Sequence, residues 1–177
     1  DYIDFNLIHT GQNYDYELNQ IFFDDLGLSS PDFYLESAVG NPIKTIGNIL
    51  IKIDDILEDI QPDAFLILGD TNSCISAIAA KKRKIPIFHV EAGNRCFDIN
   101  VPEEINRKIV DHISDINISY STLSKNYLLS EGIRGDRVIK IGSPMMEVIE
   151  SQRSKINKSN ILKKLSLKKN KYILISL

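Results

Sequence analysis

Two short apolar runs, each halted by a carboxylate, constrain this chain more than anything else in it. Ala64-Phe65-Leu66-Ile67-Leu68 runs into Gly69-Asp70-Thr71-Asn72, and Ile85-Pro86-Ile87-Phe88-His89-Val90 runs into Glu91-Ala92-Gly93-Asn94-Arg95. Short continuous apolar runs bounded by glycine and polar residues read as buried strands of a parallel sheet. Each acid then stands at the C-terminal tip of its strand, the edge at which open α/β sheets bind ligands. A third piece, Pro102-Glu103-Glu104-Ile105-Asn106-Arg107, is followed by Ile109 and Val110. Proline in the first turn, acids at the positive dipole end and the apolar residues behind them mark a helix start. Asp70, Glu91 and Glu103 thus converge on one crevice beside Arg95 and Arg107. Taken singly, Asp70 also suits a helix cap, Glu103 the helix dipole, and Arg107 an i,i+4 pair with Glu103. Glu91 is harder to explain that way, because a carboxylate closing a buried strand beside His89 is costly unless paired or used.

The rest of the chain repeats the same alternation. Strands are expected over 5–9, 32–35, 116–120, 138–142 and 172–177. Helices are expected over 14–26, from Asn41-Pro42 to Gln61, over 73–84, 102–112 and 122–131, and from about Met145. Strands alternating with helices predict an α/β fold with a doubly wound, mainly parallel, Rossmann-like sheet. The expected organisation is one such domain over 1–150, a connecting helix and linker over 151–171, and over 172–177 the first strand of a further domain. The chain opens on Asp1 and closes inside an apolar run, which reads as a fragment at both ends.

Composition narrows the function classes. Hydrophobic residues make up 43% and charged residues 25% of the 177, as in an ordinary globular domain, and the net charge of −3 calls for no nucleic acid. No apolar run approaches the roughly 20 residues that span a bilayer. Cys74 and Cys96 lack metal-type spacing and read as two reduced thiols in a cytoplasmic protein. Residues 153–171 carry eight Lys or Arg and no acid. Isoleucines and leucines interleave at helical spacing there, which suits a solvated helix face better than a ligand patch.

The motifs, taken in order, resemble one family. His9-Thr10-Gly11-Gln12, Gly69-Asp70-Thr71, His89-Val90-Glu91-Ala92-Gly93-Asn94-Arg95 and Pro102-Glu103-Glu104-Ile105-Asn106-Arg107 resemble the non-hydrolysing UDP-N-acetylglucosamine 2-epimerases, over about residues 5–150. The resemblance implies the first domain of a glycosyltransferase-B-type, two-domain architecture, with the nucleotide sugar between the domains and homodimers as the usual assembly. The wording Glu-Ala-Gly-Asn-Arg-Cys-Phe-Asp resembles the branch that makes UDP-N-acetyl-L-fucosamine from a UDP-2-acetamido-2,6-dideoxy-L-talose for capsule or O-antigen synthesis.

What the resemblance implies chemically is inversion at C2 of a UDP-sugar. No carbonyl lies beside that carbon in the ring, so direct deprotonation is implausible, and the family's route is elimination of UDP to a 2-acetamidoglycal followed by re-addition. Two acid/base groups on opposite ring faces and a charged clamp on the diphosphate are needed. No cofactor and no metal is called for. The resemblance places Asp70, Glu91 and Glu103 as the catalytic carboxylates, and Gln12, His89, Arg95, Asn106 and Arg107 as substrate-binding. Gln12 falls in the loop where many bacterial relatives bind a second, activating UDP-sugar, but Asn13 stands where those relatives carry histidine. With the uridine-binding half missing, the isolated 177 residues are expected to be inactive. Two rival readings are a UDP-sugar-dependent glycosyltransferase of the same architecture and a non-catalytic nucleotide-sugar-binding domain.

Overall fold

The computed structural model describes residues 2–11 and 20–175. Contacts divide the chain into two units, Asp1–Gly142 and Ser143–Leu177. In the first unit, β1 (Ile8–His9) pairs in parallel with β2 (Phe33–Tyr34), matching Ile8 to Phe33. A separate four-stranded sheet has β3 (Phe65–Leu68), β4 (Ile87–Val90), β5 (Ile116–Ser119) and β6 (Val138–Lys140) side by side in chain order, all parallel. The parallel α/β expectation is therefore met, with every strand shorter than the apolar pattern suggested. The strand expected over 5–9 keeps only Ile8 and His9. Its approach is held instead by Asp32, whose carboxylate accepts the Leu7 N–H at 2.7 Å.

Between the strands run α1 (Gln20–Leu26), α2 (Pro42–Ile60), α3 (Ala77–Lys82), α4 (Pro102–Ile113) and α5 (Thr122–Ser130). The first part of the helix expected over 14–26 lies outside the described residues. Helix α2 starts where Asn41 caps it, its side-chain oxygen accepting the N–H groups of Ile43 and Lys44 at 2.9 and 3.2 Å. It buries Ile49, Ile53 and Leu57, at a spacing of four residues, along one stripe. Ile53 and Leu57 of that stripe pack with Leu35, Ile67, Ile75, Ala77, Ala80, Ile85 and Ile87 to form the main core. The helix expected over 73–84 begins instead as a 3₁₀ segment, Asn72–Ser76, and becomes α-helical only at Ala77. A second small core gathers Ala92, Leu128 and Val138 beneath α5.

Helix α4 forms where its start signals place it, but its burial is the reverse of the usual pattern. Glu104, Asn106, Arg107 and Asp111 are buried along with Val110, while Ile105 and Ile109 are 48% and 38% exposed. The helix therefore turns a charged face inward, and each of those buried polar groups must find a partner.

The second unit holds α6 (Met145–Ser151), α7 (Arg153–Lys158) and α8 (Ile161–Lys164), none with a buried residue. Its basic side chains are exposed, as a solvated face requires. Residues 172–175, where a strand was expected, carry no regular structure and pair with no strand among the described residues. The last two residues of that expectation are outside the described residues. No helix among the described residues is long and apolar enough to cross a membrane.

Candidate active site

The tips of β3 and β4 and the inward face of α4 build one site. β3 is followed by Gly69, whose backbone turns to φ +76° while its N–H still bonds the Val90 carbonyl at 3.0 Å. The turn delivers Asp70 at the sheet edge. β4 is followed by Glu91, which adopts φ +66°. A non-glycine residue in the left-handed region is uncommon, and such positions concentrate at functional sites. Gly93 follows at φ +81°, packed so closely on α5 that a Cβ there would lie 2.4 Å from the Ser124 carbonyl oxygen.

Arg107 joins the two strand tips. Its Nε donates to Asp70 Oδ2 at 3.1 Å, and its Nη2 donates to the same oxygen in a shorter bond. Nη2 also stands 3.5 Å from Glu91 Oε1, and Nη1 donates to the Glu91 carbonyl. The i,i+4 pair with Glu103 does not form. The next residue, Glu104, is the acid with an i,i+4 partner, Lys108 at 2.9 Å, and it also accepts the Cys96 N–H at 2.9 Å. Burial works against the Glu104 charge, but the Cys96 N–H and Lys108 outweigh it and bring its pKa down to about 2. Asn106 donates to the Asp70 carbonyl at 3.0 Å and to Asn72 Oδ1 at 3.3 Å, fixing the start of the 3₁₀ segment.

A cleft of about 220 Å³ opens here, lined by Asp70, Asn94, Arg95, Cys96, Val101, Glu103, Glu104 and Arg107. Glu103 stands exposed on its rim. Glu91 does not border the cleft itself; it is reached through Arg107 and Asn94, which do. The structure thus brings Asp70, Glu91 and Arg107 together by direct contact, and Glu103 lines the same cleft. Gln12 lies outside the described residues.

His89 and Arg95 are built inward. His89 has no exposed surface; Nε2 lies 2.8 Å from the Gly69 carbonyl and Nδ1 lies 2.8 Å from Asp111 Oδ1, so both ring nitrogens face acceptors. Arg95 borders the cleft, yet its side chain is wholly enclosed. Its Nη1 meets Asp111 Oδ2 at 2.8 Å, and its Nε and Nη2 form a fork on Glu131 at 2.7 and 2.6 Å. Burial opposes the Arg95 charge, but Glu131 and Asp111 together hold its pKa above the ordinary arginine value. The Arg95 fork in turn depresses the Glu131 carboxyl. The guanidinium expected to face a ligand is committed to two carboxylates.

Asp111, which sequence reasoning passed over, is the hub of this arrangement. It is 1% exposed, and its two oxygens serve His89, Arg95 and the Gly93 N–H at 3.2 Å. One signal was available: Glu104, Arg107 and Asp111 recur at helical spacing on one face of α4. Tyr120, at the tip of β5, was also missed; burial first, and the Glu91 charge second, raise its phenol above the ordinary value. Behind Asp70 lies Cys74, 1% exposed, its thiol pushed up to about 12 by burial and then by the Asp70 charge. Both cysteines are free, Cys74 buried and Cys96 exposed.

With this geometry in place, comparison with known proteins places the chain. The family model described as UDP-N-acetylglucosamine 2-epimerase matches residues 1–177. A UDP-N-acetylglucosamine 2-epimerase homolog of Methanococcus maripaludis is 42% identical over 171 residues, covering 95% of this chain and 48% of that protein. The solved structure of a Rickettsia bellii UDP-N-acetylglucosamine 2-epimerase is 59% identical with a TM-score of 0.85, over 92% of this chain and 44% of that one. The Methanocaldococcus jannaschii UDP-GlcNAc 2-epimerase, solved in complex with UDP-GlcNAc and UDP, is 36% identical with a TM-score of 0.88, over 93% of this chain and 46% of that one. The chain spans about half the length of the relatives it matches. One family model matched along all 177 residues, with relatives of the same description in sequence and in structure, establishes that the chain belongs to the UDP-N-acetylglucosamine 2-epimerase family.

Proposed function

We propose that this chain is the acid/base half of a non-hydrolysing UDP-N-acetylhexosamine 2-epimerase. The observation that carries the reading is the sharing of Arg107 by Asp70 and Glu91, from adjacent strand tips, beside a cleft rimmed by Glu103. Inversion at C2 needs a group to take the C2 proton as UDP leaves C1, and another to return it to the opposite face. Asp70 and Glu91 share the proton transfers, and Glu103 orients the sugar from the rim. Arg107 keeps the first two apart and fixed in direction. Asn106 and His89 support them from behind, through the Asp70 and Gly69 carbonyls.

The diphosphate clamp is not Arg95, whose charge is already matched by Asp111 and Glu131; a second domain supplies it. The substrate is UDP-N-acetylglucosamine or its 6-deoxy-L-talose counterpart, the product serving capsule or O-antigen synthesis. The protein works in the cytoplasm as a homodimer, without a cofactor. Incubation of the full-length protein in heavy water with each substrate, followed by NMR at C2, tests this. Deuterium at C2 together with the C2 epimer is expected, and the faster substrate identifies the branch. Binding without exchange on either substrate would overturn the proposal in favour of a transferase or sensor.

A further inference from the structure

Asn94 lines the cleft and touches Glu91, a proposed catalytic carboxylate, without itself being a charged or proton-transferring group. Its Nδ2 donates to Glu91 Oε1 at 3.2 Å. Its Oδ1 accepts the Ser124 hydroxyl at 2.7 Å. Ser124 is itself fixed at the start of α5. The Ser121 side chain caps that helix, accepting the Ser124 N–H at 3.0 Å, and its oxygen lies 2.8 Å from the Ser124 hydroxyl.

The proton order along this chain has one consistent solution. Ser124 has one hydroxyl proton, which goes to Asn94 Oδ1, so Ser124 accepts from the Ser121 hydroxyl. Turning the Asn94 amide over would still satisfy Ser124, with the NH₂ donating to it. It would also press the amide oxygen against the Glu91 carboxylate, two acceptors facing each other. The amide orientation is therefore set by its two neighbours. The close approach that makes this contact comes from Gly93, where the chain lies directly against the first turn of α5.

The consequence falls on Glu91. Its Oε1 faces two donors, Asn94 and Arg107, while among the described residues Oε2 has none. A carboxylate gripped by one oxygen presents the other in a defined direction, which is what a proton-transferring group requires. We infer that Asn94, oriented by Ser124, is a positioning residue that aims Glu91 at the substrate. This rests on the proposed epimerase reading, in which Glu91 transfers a proton.

The test uses the full-length protein and steady-state turnover of the better UDP-N-acetylhexosamine substrate. For Asn94→Ala, kcat falls about ten- to a hundredfold, the scale of a misplaced reacting group, while KM changes less than about threefold. Asn94→Asp, which keeps the shape but sets a second carboxylate against Glu91, falls further. It also serves if the alanine variant does not fold. Ser124→Ala loses a smaller part of kcat, and Ser124→Thr, which keeps the hydroxyl, restores most of what the alanine variant loses. The double variant Asn94→Ala/Ser124→Ala is no slower than Asn94→Ala alone, because Ser124 acts through Asn94. A folded Asn94→Ala or Asn94→Asp protein with kcat within twofold of the unmodified one overturns the inference. So does a fully additive double variant. No turnover by the unmodified protein overturns the functional reading itself, a separable result.

Discussion

Gly93 is where the packing of the site is tightest, and adding one methyl group there tests how the site is assembled. An alanine Cβ would sit 2.4 Å from the Ser124 carbonyl oxygen and 2.8 and 2.9 Å from two carbons of Leu128, itself fully buried. The carbonyl belongs to the first turn of α5 and cannot rotate away as a flexible side chain could. Overpacking of this kind costs about 1–3 kcal/mol. The φ of +81° adds the left-handed penalty for a residue with a Cβ, about 1–2 kcal/mol. Against these stands the smaller conformational freedom of alanine in the unfolded chain, about 0.4–1 kcal/mol in favour of folding. The net destabilisation by Gly93→Ala is therefore about 2–4 kcal/mol.

Gly132, just past the end of α5, provides the control. It has nearly the same φ, +89°, but nothing within 4 Å of an added Cβ. Gly132→Ala carries the backbone penalty without the clash, a net of about 1 kcal/mol or less. Denaturant midpoints of the two variants, with unchanged m-values, measure the difference directly. In thermal unfolding, Gly93→Ala should melt roughly 5–15 °C lower than the unmodified protein, and Gly132→Ala only a few degrees lower. Equal shifts for the two, within about 0.5 kcal/mol, would refute the claim that the β4–α5 contact is closed by van der Waals packing at Gly93.

Other changes probe the charged face of α4. Asp111→Ala, which strips the shared partner from buried Arg95 and His89, should cost about 3–5 kcal/mol in denaturant unfolding, and a loss below about 1 kcal/mol would deny its role as hub. Arg107→Lys keeps the charge but loses the fork across Asp70 and Glu91, so kcat/KM should fall about ten- to a hundredfold with folding retained; unchanged kcat/KM would count against the bridging role. The Glu104 carboxyl is held at about 2 against an ordinary 4.5, so its contribution is complete above about pH 4.5 and is lost as pH falls toward 2. Glu104→Gln should therefore flatten the acid limb of the stability profile in that window, and an unaltered limb would exclude it. A thiol reagent should label exposed Cys96 in the native protein and buried Cys74 only on unfolding, with two fast thiols as the contrary result.

Which parts of this site were legible in the sequence follows from what each kind of signal can encode. The strand tips were legible because a buried parallel strand must be apolar along its length, so the first carboxylate after Leu68 and after Val90 marks the sheet edge. The start of α4 was legible because Pro102 and the two glutamates after it answer purely local demands of a helix terminus. The inward face of α4 was not, because hydrophobic periodicity presumes that the buried stripe is the apolar one. On that presumption Ile105 and Ile109 belong to the core and Asp111 to solvent, and the structure has the reverse. A charged stripe at Glu104, Arg107 and Asp111 can be buried only if every member meets a partner from a distant segment. Those partners, Cys96 for Glu104, Asp70 and Glu91 for Arg107, and His89 and Arg95 for Asp111, are fixed by tertiary structure. The same limit explains Arg95, whose place beside the motif carboxylates suggested a ligand-facing cation. Nothing local to residue 95 reveals that Glu131, 36 residues further on, claims its guanidinium. Charge placed inside a helix bundle or sheet edge is expensive unless it is fully matched. A helix that buries four polar residues and exposes two isoleucines therefore has its inward face set by matching distant polar groups, the Asp70 and Glu91 carboxylates on Arg107 among them, at the expense of its own hydrophobic packing.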